Sequence, residues 1–397
     1  PRDGFSLTVA DDLTVMGAVG RLETAENLVF QDGAYFSLVS TGTTIEVGWN
    51  FRTFADLPDP ALYNPARLDT DQWMDAANAL GAKYVVFVAK HCSGFCQWQT
   101  DIYPYGVKQS PWRRGKGDVV RDFVDSCRRH GLRPGLYAST TANAWWEVDN
   151  PGLVNRGRGG DPEKQAKYAS VQERMLQELW ENYGELFEIW FDGGALPPER
   201  GGPDVVRLLD RLQPKAMVFG GRRETIRWIG NEDGVANYPC WCTFDAWRDE
   251  SHAATGDPDG KRWLPGECDV PLRWNEWFWK PDQEHKILPL ERLMDMYVRS
   301  VGRSCNLLLN STPGPDGLIP GADMRRYAQF GSEIRRRFGA SIAETSGEGE
   351  TVELDLGRLA TIDHVTTMER TELGQRVRAY VIEGFQGDRW IELANGA

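Results

Sequence analysis

The sequence predicts an α/β chain, a (β/α)8-type barrel followed by a smaller β-sandwich. Three observations carry that prediction. Helical and strand-like segments alternate over roughly 270 residues from Asp69 onward. No G-x-G-x-x-G loop opens any of the helices, which disfavours an open nucleotide-binding sheet. After Gly339 the pattern changes to short strand-like segments divided by glycine and charged turns. The expected layout is residues 1–40 as an N-terminal segment with strand-like patches but no assigned role, 41–338 as the barrel, and 339–397 as the sandwich.

The elements follow in order. Asp69 to Leu80 spaces its apolar residues at helical period, and Tyr84 to Ala89 is a β-branched run of strand length. Asp118 to His130 repeats the helical period and stops at Gly131, a residue suited to the left-handed turn that ends a helix. Pro134 to Tyr137 is the next strand, and Glu163 to Tyr183 is a longer helix feeding the apolar run Leu186 to Ile189. Val205 to Leu212 reads as helix, Ala216 to Phe219 as strand, and Ile226 to Gly230 as a short strand ending near Glu232. Leu290 to Val301 is a helix entered after Pro289, and Cys305 to Leu309 a strand. In the sandwich, Thr351 to Leu356, Ile362 to Met368, Val377 to Glu383 and Arg389 to Leu393 are the expected strands, with the module incomplete at Ala397.

Composition bounds the function. The 397 residues are 41% hydrophobic and 26% charged, ordinary for a globular protein. Lys and Arg total 45 against 58 Asp and Glu, and the formal charge of −13 disfavours nucleic acid and anionic membranes as partners. No stretch approaches the roughly 20 apolar residues of a spanning helix, so membrane insertion is not expected. The first residue is Pro1, which leaves room for a removed upstream signal and hence for a periplasmic or secreted protein; compartment and oligomeric state stay open. Seven cysteines, with Cys240 and Cys242 one residue apart, fit neither a metal-ligand spacing nor a dense disulfide framework, and reduced thiols are expected. The 16 tryptophans include Trp145, Trp146, Trp241, Trp274, Trp277 and Trp279 in polar surroundings. Flat aromatic faces suit the C–H faces of sugar rings, although core packing accounts for most of them one by one.

Candidate chemistry lies where strands end. Trp190-Phe191-Asp192-Gly193-Gly194 places a carboxylate after an apolar strand, between an aromatic wall and a glycine turn. Asp192 is thus a candidate catalytic group, and equally a residue that caps a helix or starts a turn. His91 directly follows a buried strand and is placed to bind a ligand hydroxyl. With only Cys92 beside it, a metal site is not expected. Glu232, in Trp228-Ile229-Gly230-Asn231-Glu232-Asp233-Gly234, is a second carboxylate in an aromatic and glycine setting. Two such groups divide acid and nucleophile roles when their environments separate their pKa values. A surface turn remains the alternative, with Asp233 as a competitor.

The motifs Lys90-His91-Cys92-Ser93-Gly94-Phe95-Cys96-Gln97-Trp98, Ser110-Pro111-Trp112 with Gly115 to Val120, Gly135-Leu136-Tyr137, Ile189-Trp190-Phe191-Asp192-Gly193 and Asn306 to Asn310 occur in the order seen in family 29 glycoside hydrolases. The chain resembles these retaining α-L-fucosidases over roughly Asp69 to Pro320, including their barrel and C-terminal β-sandwich. The resemblance implies Asp192 as nucleophile. Trp228 to Glu232 resembles the acid/base segment of the subfamily preferring α-1,3/1,4-linked fucose, which implies Glu232 as acid/base. Ile362 to Glu392 resembles a discoidin-like sandwich. His91, Glu46, Trp190, Tyr137, Cys92 and Trp228 are the implied substrate-binding residues, with no cofactor and an oligosaccharide or glycoconjugate as substrate.

The chain also departs from the family pattern. Cys92-Ser93 stands where the family has His-Asp, and the Phe-x-His-x-Gly strand has its nearest match in Ile45-Glu46-Val47-Gly48. The Glu-Trp-Gly segment that normally follows is absent between Phe54 and Asn64. Each hydrogen bond lost to a buried hydroxyl costs about 1–3 kcal/mol unless replaced. An α-L-galactosidase on the same scaffold, or a non-catalytic glycan-binding protein, is therefore the alternative expectation.

Overall fold

A computed structural model describes residues 4–9, 34–38, 57–155, 160–245, 254–370 and 375–396. Its center is an eight-stranded parallel sheet made of β2 (Ala34–Leu38), β3 (Tyr84–Lys90), β4 (Arg133–Ala138), β5 (Glu188–Trp190), β6 (Met217–Phe219), β7 (Arg227–Trp228), β8 (Gly266–Pro271) and β9 (Asn306–Ser311). The spatial order is β6-β5-β4-β3-β2-β9-β8-β7, so every neighbour is also next in sequence apart from the β2–β9 pair. A parallel bridge between Phe219 and Ile226 joins the two outer strands.

Among the described residues six helices lie against this sheet: α1 (Thr70–Leu80), α2 (Val119–Arg129), α3 (Pro162–Asn182), α4 (Val205–Leu212), α5 (Leu290–Ser300) and α6 (Gly321–Phe338). Four of them start in the same way. The carboxylates of Asp69, Asp118, Asp161 and Asp204 accept backbone N–H groups of the first turn, which would otherwise lack partners. α1 ends at Gly81 with φ 94°, a conformation costly for any residue with a Cβ.

The strands alternate their faces. On β3, Val85, Phe87 and Ala89 join Trp73, Phe123, Leu179, Leu293 and Phe330 in the core between sheet and helices. Tyr84, Val86 and Val88 point the other way and cluster with Tyr137, Leu308, Phe187, Trp190 and Phe278. A buried pair, Arg273 with Asp323 at 2.9 Å, fastens the segment after β8 to α6. α6 also crosses α1 closely at Gly331, where a Cβ would come within 2.1 Å of the Ala79 carbonyl oxygen. No helix among the described residues is long and apolar enough to cross a membrane.

A second sheet contains β1 (Gly4–Val9), β10 (Thr351–Asp355), β11 (Tyr380–Gln386) and β12 (Arg389–Gly396), antiparallel in the order β10-β1-β11-β12. Among the described residues this is one four-stranded layer, where two facing layers were expected. The N-terminal segment therefore serves both sheets, with β1 in the small one and β2 in the large one. Ile362 to Met368 forms no strand despite its β-branched residues, because no neighbouring strand pairs with it. β8 and α6 were not anticipated. The segment Ile45-Glu46-Val47-Gly48 lies outside the described residues, and the strand lying between β9 and β3 is Ala34–Leu38, upstream of it.

Candidate active site

β5 delivers Trp190 and then turns. Gly193 and Gly194 have φ of 65° and 78°, and a side chain at Gly193 would stand 3.2 Å from Asn150 Nδ2 and 3.3 Å from Thr141 Oγ1. Thr141 Oγ1 donates to the Asp192 carbonyl at 2.9 Å and Thr140 Oγ1 to the Gly194 carbonyl at 3.0 Å, which fixes the turn to the loop after β4. Tyr137 Oη donates to Asp192 Oδ2 at 3.0 Å. Burial pushes the Asp192 carboxyl above its ordinary 3.8, while the Tyr137 bond and the Gly193 N–H pull it back.

Four consecutive strands each contribute one ring to a stack beside this carboxylate. His91 lies on Tyr137 at 5.6 Å and 9°, Tyr137 on Trp190 at 5.5 Å and 19°, and Trp190 on Phe219 at 3.8 Å and 6°. Burial, reinforced by the Lys90 charge, lowers His91 to about 4, so its imidazole is neutral near pH 7. Its Nδ1 is buried without a partner among the described residues, a polar atom left available to a ligand hydroxyl. Cys92 is also neutral. Burial, followed by the Asp192 charge, raises its thiol to about 12.

Beneath the stack sits a carboxyl pair that was not foreseen. Glu267 accepts from Trp190 Nε1 at 2.7 Å and from Tyr84 Oη at 2.8 Å. Glu188 is 1% exposed and shares a side-chain hydrogen bond with Glu267. Burial, then the nearby Glu267, raises Glu188 well above the carboxylate range and keeps it a neutral acid.

The second expected carboxylate stands on the turn after β7. Asn231 Nδ2 donates to the Val235 carbonyl, and the Asp233 N–H donates to Asn231 Oδ1, which presents Glu232 outward. Glu232 Oε2 accepts from Trp277 Nε1 at 3.0 Å. Trp228 Nε1 is taken up by the buried Asp269 at 2.8 Å, so Trp228 offers a ring face, 40% exposed, and no free donor. Burial raises Asp269 well above its usual range, and Glu232 is among the charges that add to this.

One loop joins the two halves. Trp277 holds Glu232, and the next residue, Phe278, sets its edge on His91 at 5.0 Å and 84°. His91, Tyr137, Trp190, Cys92 and Asp192 thus form one group, Trp228 and Glu232 a second, and the loop after β8 bridges them. Phe278, Phe219, Glu188, Glu267 and Asp269 were missed as site residues. The available signal was Glu267-x-Asp269, two acids at strand period on one face. Glu46 lies outside the described residues. Among those residues no cluster of three His, Cys, Asp or Glu side chains is arranged to hold a metal, and all seven cysteines are free.

The chain is similar to known proteins over most of its length. The model of the family described as Alpha-L-fucosidase matches residues 43–336. A crystal structure from Bacteroides thetaiotaomicron, described as a candidate α-L-fucosidase, is 39% identical with a TM-score of 0.82, covering 92% of this chain and 86% of its own. A candidate α-L-fucosidase 1 of Oryza sativa is 31% identical over 85% of this chain and 71% of its own length. Alpha-L-fucosidase 1 of Arabidopsis thaliana is 34% identical over 70% of this chain, which spans about half (53%) of that protein.

Proposed function

Because the chain belongs to the α-L-fucosidase family of glycoside hydrolases, we propose that it is an exo-acting, retaining α-L-fucosidase that releases terminal fucose from α-1,3/1,4-linked glycans. The eight-stranded sheet, with sequence neighbours adjacent and the Phe219–Ile226 bridge between its ends, is read as a (β/α)8-type barrel. The small sheet is read as one layer of a discoidin-like β-sandwich. The observation that carries the functional reading is Asp192 at a strand end, half-buried and held by Tyr137 at 3.0 Å, beside a wall of stacked rings.

In this mechanism an Asp192 oxygen attacks the anomeric carbon while the bond to the leaving oxygen breaks, and Glu232 gives that oxygen its proton. Glu232, now a carboxylate, takes a proton from water. The hydroxide attacks the same carbon and expels Asp192, restoring the original configuration. Neutral His91 hydrogen-bonds a ring hydroxyl, and Tyr137 and Trp190 shape the pocket. No cofactor takes part.

Hydrolysis of 4-nitrophenyl α-L-fucoside tests the reading, with NMR following the first sugar released. The α anomer is expected first. Asp192→Ala should lose roughly 10³-fold or more in kcat, with azide restoring turnover as the inverted glycosyl azide. A first-formed β anomer, or full activity in Asp192→Ala, overturns it. A second reading, an α-L-galactosidase, draws on the small neutral Cys92 beside Asp192, because L-galactose differs from L-fucose by a hydroxyl on C6. The parallel α-L-galactoside assay decides between them. Glycan binding without turnover, unaffected by Asp192→Asn, would point to a non-catalytic role instead.

A further inference from the structure

Four of the seven cysteines gather near the amino ends of β8 and β9, the opposite end of the sheet from Asp192. Cys305 immediately precedes β9, Cys268 lies within β8, and Cys240 and Cys242 come from the segment that follows the Glu232 turn. The Cys240 and Cys305 sulfurs are 3.4 Å apart, and Cys268 also hydrogen-bonds Cys305. Gly266 leaves room for this contact, since a Cβ there would stand 2.8 Å from Cys305 Sγ. Cys242 is committed elsewhere, donating to the Ser304 carbonyl at 3.1 Å.

Two features single out one pair within this cluster. The first is access: Cys240 is half-buried, whereas Cys242, Cys268 and Cys305 are buried, so an oxidant entering from solvent meets Cys240 first. The second is freedom to move. A disulfide brings its sulfurs to about 2.05 Å. Cys268 is held within a buried strand by the β8–β9 ladder, while Cys240 lies on a segment outside helix and strand that can give way. Arg227 Nη2 stands 3.5 Å from the Cys240 sulfur. The hydrogen bond with Cys305 and then burial raise this thiol well above its ordinary 9.0, and the Arg227 charge opposes them by favouring the thiolate.

We infer that Cys240 and Cys305 are a thiol pair that a peroxide closes, reversibly, to a disulfide. Hydrogen peroxide oxidises the Cys240 thiol to a sulfenic acid and is itself reduced to water. The Cys305 sulfur then attacks the Cys240 sulfur, the S–OH bond breaks, and the hydroxyl leaves with the Cys305 proton as a second water. A dithiol reductant returns both thiols. The new bond ties positions 65 apart in sequence. It fastens a segment on which the small sheet also rests. Arg378, just ahead of β11, lies over the Trp241 ring at 4.7 Å and donates to the Pro258 carbonyl at 2.9 Å, and the Cys242 N–H donates to Gln375 Oε1. Oxidation thus stiffens the joint between the two sheets at a distance from Asp192.

The test treats the purified protein with hydrogen peroxide and then with dithiothreitol, mapping non-reduced peptides by mass spectrometry. The expected product is two hydrogens lighter, with the peptides of Cys240 and Cys305 joined. Its thermal midpoint should rise by roughly 5 °C and fall back on reduction. Cys240→Ser, at a half-buried position, should abolish both changes. Cys242→Ser, which keeps a donor to Ser304, should retain them.

A Cys268–Cys305 bond, or the same loss of hydrogens in Cys240→Ser, overturns the pairing. Cys240 recovered as a sulfinic acid with no crosslink overturns it too, because Cys305 then fails to reach the oxidised sulfur. No loss of thiol under peroxide that fully oxidises free cysteine removes the site altogether. A crosslink with an unmoved midpoint overturns its fastening role.

Discussion

At the scale of single residues, the Tyr137–Asp192 hydrogen bond sets both position and charge. The proposed mechanism needs Asp192 ionised, burial works against that, and the Tyr137 hydroxyl favours it. In Tyr137→Phe the carboxyl pKa rises further. The acidic limb of the kcat/KM profile should move to higher pH, and kcat/KM at pH 7 should fall roughly tenfold. An unmoved limb would show that Tyr137 serves only the ring stack. Asp192 and Glu232 could be nominated because a carboxylate between tryptophan and glycine at a strand end is a local pattern, while their proposed roles came from the family resemblance. Phe278 was not, because only the fold brings a loop aromatic onto His91, 187 positions away in a sequence that marks neither for the other.

At the scale of elements, β8 shows why some structure escapes a reading by propensity. Gly266-Glu267-Cys268-Asp269-Val270-Pro271 carries two acids, a glycine and a proline, all poor strand formers. It is a fully buried strand because its acids accept the indole N–H groups of Trp190 and Trp228, contacts that lie 77 and 41 residues away in sequence. The helices with aspartate caps were found easily, since cap and apolar period are both local. Glu267→Ala should leave the Trp190 and Tyr84 donors unpaired and cost about 2–5 kcal/mol in thermal or urea unfolding, with a raised KM for the aryl fucoside. Glu267→Gln keeps an acceptor oxygen and should recover part of both. Equal effects of the two substitutions would mean that volume, not the acceptor, is what Trp190 needs.

At the scale of the whole molecule, the strand order makes the small sheet depend on both ends of the chain. β1 runs between β10 and β11, pairing Leu7 with Val352 on one side and with Ile382 on the other. Removing residues 1–9 should therefore leave β10 without a partner and β11 with one open edge. Limited proteolysis should then cut within residues 340–396 while the region 57–338 stays resistant. Resistance throughout would show that the remaining hairpin stands unaided. From about Asp69 onward the alternation was legible for six of the eight strands, since each of those strands and its helix carries its own period. The destination of β1 was not, because a strand's sequence does not state its partner when more than 340 residues separate the two.

That same pairing sets an order on the chain's synthesis. Gly4–Val9 leaves the ribosome more than 340 residues ahead of the strands it lies between, so the small sheet completes only after the large sheet has emerged. Until then, Gly4–Val9 waits with both edges unpaired while the large sheet assembles from successive neighbours behind it.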